Sequence, residues 1–425
     1  MDETVVLNPV NEHYLDRVVH VAETQGVEAS EDIYSANGIK LVAKGAHISP
    51  EVRERLIVHK LKKPLEQCIR VQNGTDTQRL YTEAKALFEQ SDRLRALFAQ
   101  GSILSMVHEI PLRPATLGLL DVAAAQDKHG LQHYLLVMLI ALALAQRMRC
   151  GADIMRTVTM AGLMHDIGEL YIERRYLEDD SSELDELDWR KIAAHPIIGQ
   201  KLAQDICGMP LAVGQAILEH HERASGAGYP RGVSGQHLSL AGQIVAVAEM
   251  MAAHAERDAH PLQRVALVVK LLPGEYNPAL VGALMELTEI DESVAAPPAE
   301  LSGMMLDTLL QQLQSISMLL SASSSLPALR RGEGEQVLQL AQQRFQVLYS
   351  ALHDTGVDML CGLDGNCAAG LTEQPIMLRH EVDVVQHEVR WLLKSLSREL
   401  GVRVLGLPKP VANALRPLIE ALALE

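Results

Sequence analysis

The chain has 425 residues, 48% of them hydrophobic, which exceeds one ordinary core and predicts two or three globular domains. Aromatic content is only 3%, while Leu, Ala, Val and Met recur at helical spacing, so a mainly α fold is expected over a β-sandwich or barrel. A net charge of -16, with no Lys/Arg cluster interleaved with aromatics, argues against polymeric nucleic acid as a partner but leaves room for a small anion held through metal.

Residues 1–110 read as a separate small α+β module with a helical connector. In "DIYSANGIKLVAKGAHISPEVRERLIVHKL" the Asn37-Gly38 pair lies between short β-prone runs and predicts a hairpin with a two-residue turn. Ser49 then caps a helix that has Pro50 at its first position and Glu51 in its first turn. A polar helical stretch follows from Thr77 to Gln100.

Residues 111–290 form the second predicted domain, helical and dense in histidine. Its most apolar run, "YLLVMLIALALA" from Tyr134 to Ala145, is shorter than the roughly 18 to 20 residues a membrane span requires, so it predicts a buried core helix. "DESVAAPPAE", Asp291 to Glu300, reads as a linker because Pro297 and Pro298 stop helices. The third domain, 301–425, carries helical patterns such as "MMLDTLLQQLQSISMLL" and predicts a small bundle or a homodimerisation region. Cys68, Cys150, Cys207, Cys361 and Cys367 are an odd, scattered set with no secretory signal ahead of them, which predicts a cytoplasmic protein. Cys361 and Cys367 in "CGLDGNC" are read as ordinary loop thiols in preference to a redox or metal clip.

Metal-ligand residue types recur inside the apolar helical contexts of the central domain. They are His133 in "HGLQHYLLVM", His165 and Asp166 in "AGLMHDIGEL", His195 in "AAHPIIG", His220 and His221 in "LEHHER", and Glu249 in "IVAVAEMMAA". Successive members lie roughly 25 to 32 residues apart, about one helix plus its connection, so each helix can deliver a ligand inward. Histidine with carboxylate suits first-row divalent ions, and a carboxylate can bridge two of them. Adjacent helical residues point about 100° apart, so each doublet can serve different ions or different faces of one cluster. His129, four residues before His133, shares its helix face and is an additional candidate ligand.

The ordered set His133, "HDIGE", "HPIIG", "HHERASGAGYP" and "IVAVAE" resembles the HD-GYP branch of the HD phosphohydrolase superfamily, over roughly residues 115 to 290. The resemblance implies an all-helical metal-binding domain holding two or three divalent ions, iron or manganese first, with zinc, magnesium, cobalt or nickel as alternatives. It also implies hydrolysis of cyclic di-GMP or a related cyclic dinucleotide in bacterial signalling. Position by position, His133, His165, Asp166, His195, His220 and His221 match the family's metal ligands, and Asp166 matches its bridging carboxylate. Asp166 and His195 are the expected catalytic groups. Gly228, Tyr229 and Pro230 match the substrate-pocket loop, with Arg223 beside them, and this loop and the terminal helices are the expected contacts for signalling proteins.

The chain departs from the family at several positions. Glu169 stands where the family has lysine, Glu249 where it has aspartate, and Ser225 where it has an acid before the loop; Ala252 and Ala253 replace a later acidic motif. The segment "YLEDDSSELDELDW" is acidic where relatives tend to be basic. Two other readings therefore stand beside the phosphodiesterase: a degenerate receptor or interaction protein, and an HD phosphohydrolase for another nucleotide.

Overall fold

In the computed structural model helix dominates, and among the described residues strands are confined to the first 71. The structure describes residues 10–90, 104–125, 130–177, 185–226, 228–257, 265, 268–269, 274–285, 299–361 and 367–424. They fall into two units, one drawn from 1–182, 191–256 and 276–287, the other from 183–190, 257–275 and 288–425. His129, the linker 291–298 and part of the acidic segment, 178–184, lie outside the described residues.

The first unit opens with α1 (Glu12–Thr24), whose N-cap Asn11 accepts a hydrogen bond from the Tyr14 amide at 2.9 Å. Strands β1 (Val27–Ala29) and β4 (Ile69–Val71) pair antiparallel, with Glu28 opposite Arg70. Strands β2 (Ile33–Tyr34) and β3 (Lys40–Val42) form the expected hairpin, but its turn is a residue longer than the two-residue type. The Ser35 amide donates to the Ile39 carbonyl at 2.8 Å, leaving Ala36, Asn37 and Gly38 between them. Gly38 has φ +82° and Asn37 does not share that region, whereas a two-residue type I′ turn needs both there. Helix α2 (Pro50–Ile57) starts as expected, with the Ser49 hydroxyl accepting from the Val52 amide at 3.4 Å.

Helix α3 (Thr77–Gln90) leads into α4 (Ser105–His108), α5 (Pro114–Ala124), α6 (Gln132–Arg147) and α7 (Ala152–Met164). The run Val137 to Ala145 is buried along its whole length in α6, as its continuous apolarity requires. A 3-10 turn, Ile167–Tyr171, follows α7; then come α8 (Glu186–Ile192), α9 (His195–Lys201), α10 (Leu211–Glu219), α11 (Leu240–Arg257) and α12 (Pro278–Met285). No helix among the described residues is long and apolar enough to cross a membrane.

The hairpin module shares this unit with the histidine-rich helices, through buried polar contacts. Arg17 donates from Nη2 to the carbonyls of Glu169 and Ile172 at 3.2 and 3.0 Å. The Tyr14 ring stacks on Tyr171 at 5.3 Å, and the Tyr171 hydroxyl donates to Glu66. Burial pushes the Glu66 carboxyl up, against the opposing pull of that hydroxyl. The folded protein therefore keeps this proton after the unfolded chain has lost it, and stability falls as pH rises from the ordinary carboxylate range through the native pKa. Glu66→Gln removes this contribution, so its melting temperature relative to the wild type should climb as pH rises above the ordinary carboxylate range. A constant difference as pH rises would contradict the assignment.

The second unit is built on four long helices, α13 (Ala299–Ser323), α14 (Glu333–Asp354), α16 (Ile376–Val404) and α17 (Lys409–Ala423), with the short α15 (Cys367–Thr372) against α13. Leu306, Leu309, Leu313, Ile316 and Leu320 form a buried stripe along α13, and Val382, Val385, Val389, Leu393, Leu396 and Leu400 do the same along α16. Gln312 donates to the carbonyls of Ala421 and Leu424 at 3.0 and 2.9 Å, tying the last helix down. Cys361 and Cys367 are joined as a disulfide, which corrects their reading as ordinary thiols. Cys367 is the first residue of α15, so the bond ties the start of that helix to Cys361, a pairing that composition does not reveal.

Candidate metal centre

The sequence-predicted ligands that fall on described residues converge in the first unit, most of them at helix ends. His133 is the second residue of α6, His165 caps the C-terminus of α7 with Asp166 next, and His195 opens α9. His220 caps α10 with His221 beyond it, and Glu249 projects from within α11. Carbonyls in the last turn of a helix lack intrahelical donors, and the imidazoles use them. Nδ1 of His165 donates to the Gly162 carbonyl at 2.9 Å, and Nδ1 of His220 to that of Ile217 at 2.6 Å. His195 makes the same bond to the Ile192 carbonyl at 2.9 Å. A carbonyl can only accept, so these three rings carry a proton on Nδ1 and turn Nε2 inward.

Asp166 lies between the inward-facing nitrogens. Its Oδ1 is 3.3 Å from His195 Nε2 and 3.2 Å from His220 Nε2, while Oδ2 is 3.1 Å from His165 Nε2. Glu249 Oε2 lies 3.0 Å from His165 Nε2 and 3.2 Å from His133 Nε2. Two overlapping sets result, Asp166 with His195, His220 and His221, and Asp166 with His133, His165 and Glu249. In each set the candidate donor atoms lie within 4.8 Å of one another. The His220-His221 doublet falls within one set, both residues lying beyond the last helical residue, Glu219; their ring centroids are 4.1 Å apart.

This donor geometry fits divalent ions. Ligand atoms each about 2.1 Å from a common ion lie roughly 3.0–3.4 Å from one another. The Nε2 atoms of His195 and His220 are 3.1 Å apart, those of His133 and His165 3.3 Å. When both rings are neutral with the proton on Nδ1, the Nε2 lone pairs of His195 and His220 face each other, an arrangement that a cation between them relieves. Glu249 Oε2 is buried and makes no hydrogen bond, although imidazole nitrogens surround it.

The charges of the cluster act on one another at close range. Burial resists charging His165, but the adjacent Asp166 and Glu249 carboxylates outweigh it and push its pKa up to about 10. Burial alone would raise Asp166 and Glu249, yet the surrounding histidines hold both well below the usual carboxylate range. His221 is held well below its ordinary value by burial, then by the neighbouring His220 and His195. Glu169 is pushed up to about 7, first by burial and then by the Asp166 charge.

The Gly-Tyr-Pro loop closes over the second doublet. Tyr229 stacks on His221 with ring centroids 4.6 Å apart, and its amide donates to the His221 carbonyl at 3.1 Å. A Cβ on Gly228 would collide with the backbone of His221, Glu222 and Arg223, so the close approach requires glycine there. Arg223 donates to the Glu222 carbonyl at 3.0 Å and lies over the Tyr276 ring at 5.3 Å. Pro230 follows a cis peptide bond.

Residues 119–263 match the HD domain family. The chain carries an HD domain. Over 124 residues it is 28% identical to a protein of Pseudomonas aeruginosa named cyclic di-GMP phosphodiesterase, a match covering 29% of this chain and 30% of that protein. A 3'3'-cGAMP-specific phosphodiesterase 3 of Vibrio cholerae is 32% identical over 144 residues, covering 32% of this chain and 31% of that protein. A cyclic di-GMP phosphodiesterase response regulator of Xanthomonas campestris is 31% identical over 164 residues, 38% of this chain and 43% of that protein. The match thus spans less than half the length of each of these curated relatives.

Several residues that shape the HD domain escaped the motif reading. Glu219 and Glu222, which flank the histidine doublet, are both buried and hold the loop. Glu222 accepts from the amides of Arg231 and Val233 at 2.8 and 3.3 Å. Glu219 accepts from Arg231 Nη2 at 3.1 Å and from the Ser239 amide and hydroxyl at 2.9 and 2.6 Å. The available signal was their placement at i−1 and i+2 of His220, either side of the doublet where an apolar helical run ends. Gly168 and Gly199 also went unassigned, and they bring the 3-10 turn against α9.

Proposed function

We propose that the HD domain is a metal-dependent phosphodiesterase acting on cyclic di-GMP or a related cyclic dinucleotide. The observation that carries this reading is Asp166, one carboxylate shared by two histidine-rich donor sets. The curated relatives bearing cyclic dinucleotide phosphodiesterase names support the substrate class. His133, His165, Asp166 and Glu249 would hold one divalent ion and Asp166, His195, His220 and His221 a second, iron or manganese being suited to nitrogen with carboxylate. Ions bound there supply positive charge against the phosphodiester and lower the pKa of a reacting water.

The chain's own residues contribute position. The Nδ1 anchors fix the imidazole planes before substrate arrives, and the Tyr229 ring stacks on His221 beside the second donor set. Gly228 keeps the backbone close to the doublet, and Arg223 offers a cation on the same side, where its charge acts on both His221 and Tyr229. We assign His195 to the donor set in place of proton transfer. Its Nδ1 is engaged by Ile192, and its Nε2 faces Asp166 and His220.

The test is anaerobic purification, reconstitution with Mn or Fe, and chromatography of products from cyclic di-GMP and 3'3'-cGAMP. Binding without turnover of either would overturn the reading and leave the receptor. Glu169 gives that second reading its specific support, since a carboxyl beside Asp166 stands where a cation would stabilise phosphate charge. Glu169→Lys should raise kcat/KM by about tenfold if the chain is a working enzyme slowed by this acid. An unchanged rate would favour the receptor.

A further inference from the structure

A further set of metal-ligand side chains stands in the second unit. Asp307 on α13 and the bonded pair Cys361 and Cys367 place one carboxylate oxygen and two sulfurs within 4.8 Å of one another. The packing that gathers them depends on two glycines. Gly303, one turn before Asp307 on the same face of α13, lies so close to α15 that a Cβ there would meet the backbone of Ala368, the neighbour of Cys367. A Cβ on Gly370 of α15 would meet the Leu360 carbonyl oxygen, at the end of the 3-10 turn Val357–Leu360 that leads into Cys361. Asp307 is half-buried, and among the described residues it makes no hydrogen bond and no ion pair. Cys367 is fully buried, while Cys361 is partly exposed.

We propose that Cys361 and Cys367, once reduced, hold a zinc ion together with Asp307, so that disulfide and metal site are alternative closures of one clip. Reduction by a dithiol proceeds as thiol exchange. A thiolate of the reductant bonds to Cys361 Sγ, at the exposed end, and the Cys361–Cys367 bond breaks with its electron pair going to Cys367. The second reductant thiol then displaces Cys361 and leaves as the reductant's own disulfide, while the two protons pass to the protein sulfurs. Zinc binding releases both protons, since the thiolate is the ligand form. Thiolate sulfur is a soft donor that selects zinc over magnesium, calcium or manganese, and the carboxylate adds a third donor with a fourth position left for water. Around a tetrahedral ion with Zn–S of about 2.3 Å and Zn–O of about 2.1 Å, the donors lie about 3.6–3.8 Å apart. That is inside the 4.8 Å span of the three side chains. Two thiolates and a carboxylate held so close repel one another, and a cation among them relieves it. The disulfide ties the start of α15 to Cys361 alone, whereas the ion would also tie in Asp307 of α13.

The experiment titrates the full chain with cobalt. A cobalt-thiolate bond gives a near-ultraviolet charge-transfer band, which the nitrogen and oxygen donors of the histidine cluster cannot give. Protein oxidised with diamide is compared with protein reduced by dithiothreitol and desalted without oxygen, and thiol titration should count three and five thiols respectively. The reduced chain should develop the band to saturation, and added zinc should bleach it. The oxidised chain should show none. Cys361→Ser should lose most of the band even when reduced. Asp307→Asn keeps both sulfurs and the side-chain shape, so it keeps the test open if the cysteine variant does not fold, and its affinity for cobalt at this site should fall about tenfold or more. No band in the reduced chain would overturn the proposal. So would a full band in the oxidised chain or in Cys361→Ser, an unchanged affinity in Asp307→Asn, or five thiols remaining under diamide.

Discussion

Asp166→Ala should empty both donor sets together, and, under the proposed phosphodiesterase function, hydrolysis of a cyclic dinucleotide should fall by about a thousandfold or more. No other residue is common to the two sets, and each Asp166 oxygen faces a different one, Oδ1 toward His195 and His220 and Oδ2 toward His165. Removing it would take one candidate ligand, and its negative charge, from each donor set. His133→Ala or Glu249→Ala touches one set alone, so bound metal should drop by about half while the other ion stays. Elemental analysis of protein reconstituted with Mn, set beside turnover, separates the cases. Full metal content in Asp166→Ala would end the shared-carboxylate reading. Asp166→Asn, which keeps shape and loses charge, should resemble alanine in metal content if charge governs retention.

Gly168→Ala is expected to damage the site without altering any donor. A Cβ at Gly168 would run into the His195 carbonyl oxygen and come within 2.8 Å of the Gly199 amide nitrogen. Both are backbone atoms, so the strain cannot be relieved by rotating a side chain. The added methyl must lever the 3-10 turn away from α9, separating Asp166 from His195. Overpacking of this kind costs about 1–3 kcal/mol, and a displacement of about 1 Å at reacting groups is enough for a hundredfold loss of rate. Urea melts should show the lost stability, and metal titration should show weaker binding in the Asp166-His195 set. Gly199→Ala is the informative control. Its closest contact would be Ile217 Cγ2 at 2.9 Å, a side-chain atom that can move, so the effect should be milder. Equal effects from the two would mean that the turn does not set the Asp166-His195 distance.

Features written in consecutive residues were legible. The apolar run from Tyr134 to Ala145 became a buried helix, and Ser49-Pro50 became a helix start, because both depend on hydrogen bonds and solvent exposure a few residues away. The spacing of His133, His165, Asp166, His195, His220, His221 and Glu249 announced a cluster because each helix of such length returns the chain to one place. Local signals were weaker where one residue's conformation decided the outcome: Asn37-Gly38 marked a turn, but its length followed from which residue took positive φ.

Tertiary structure alone decided how the cluster is divided and held. Nothing local to Asp166 says that its two oxygens face opposite sets, since that depends on where α9 and α10 carry their ends relative to α7. The roles of Glu219 and Glu222 as loop anchors, of Arg17 beneath the 3-10 turn, and of Cys361 and Cys367 as a bonded pair arise in the same way. Periodicity records which side of an element is buried. Hydrogen bonds and ion pairs record what lies within about 3 Å, and partners such as Arg17 and Ile172, separated by 155 positions, meet only after packing.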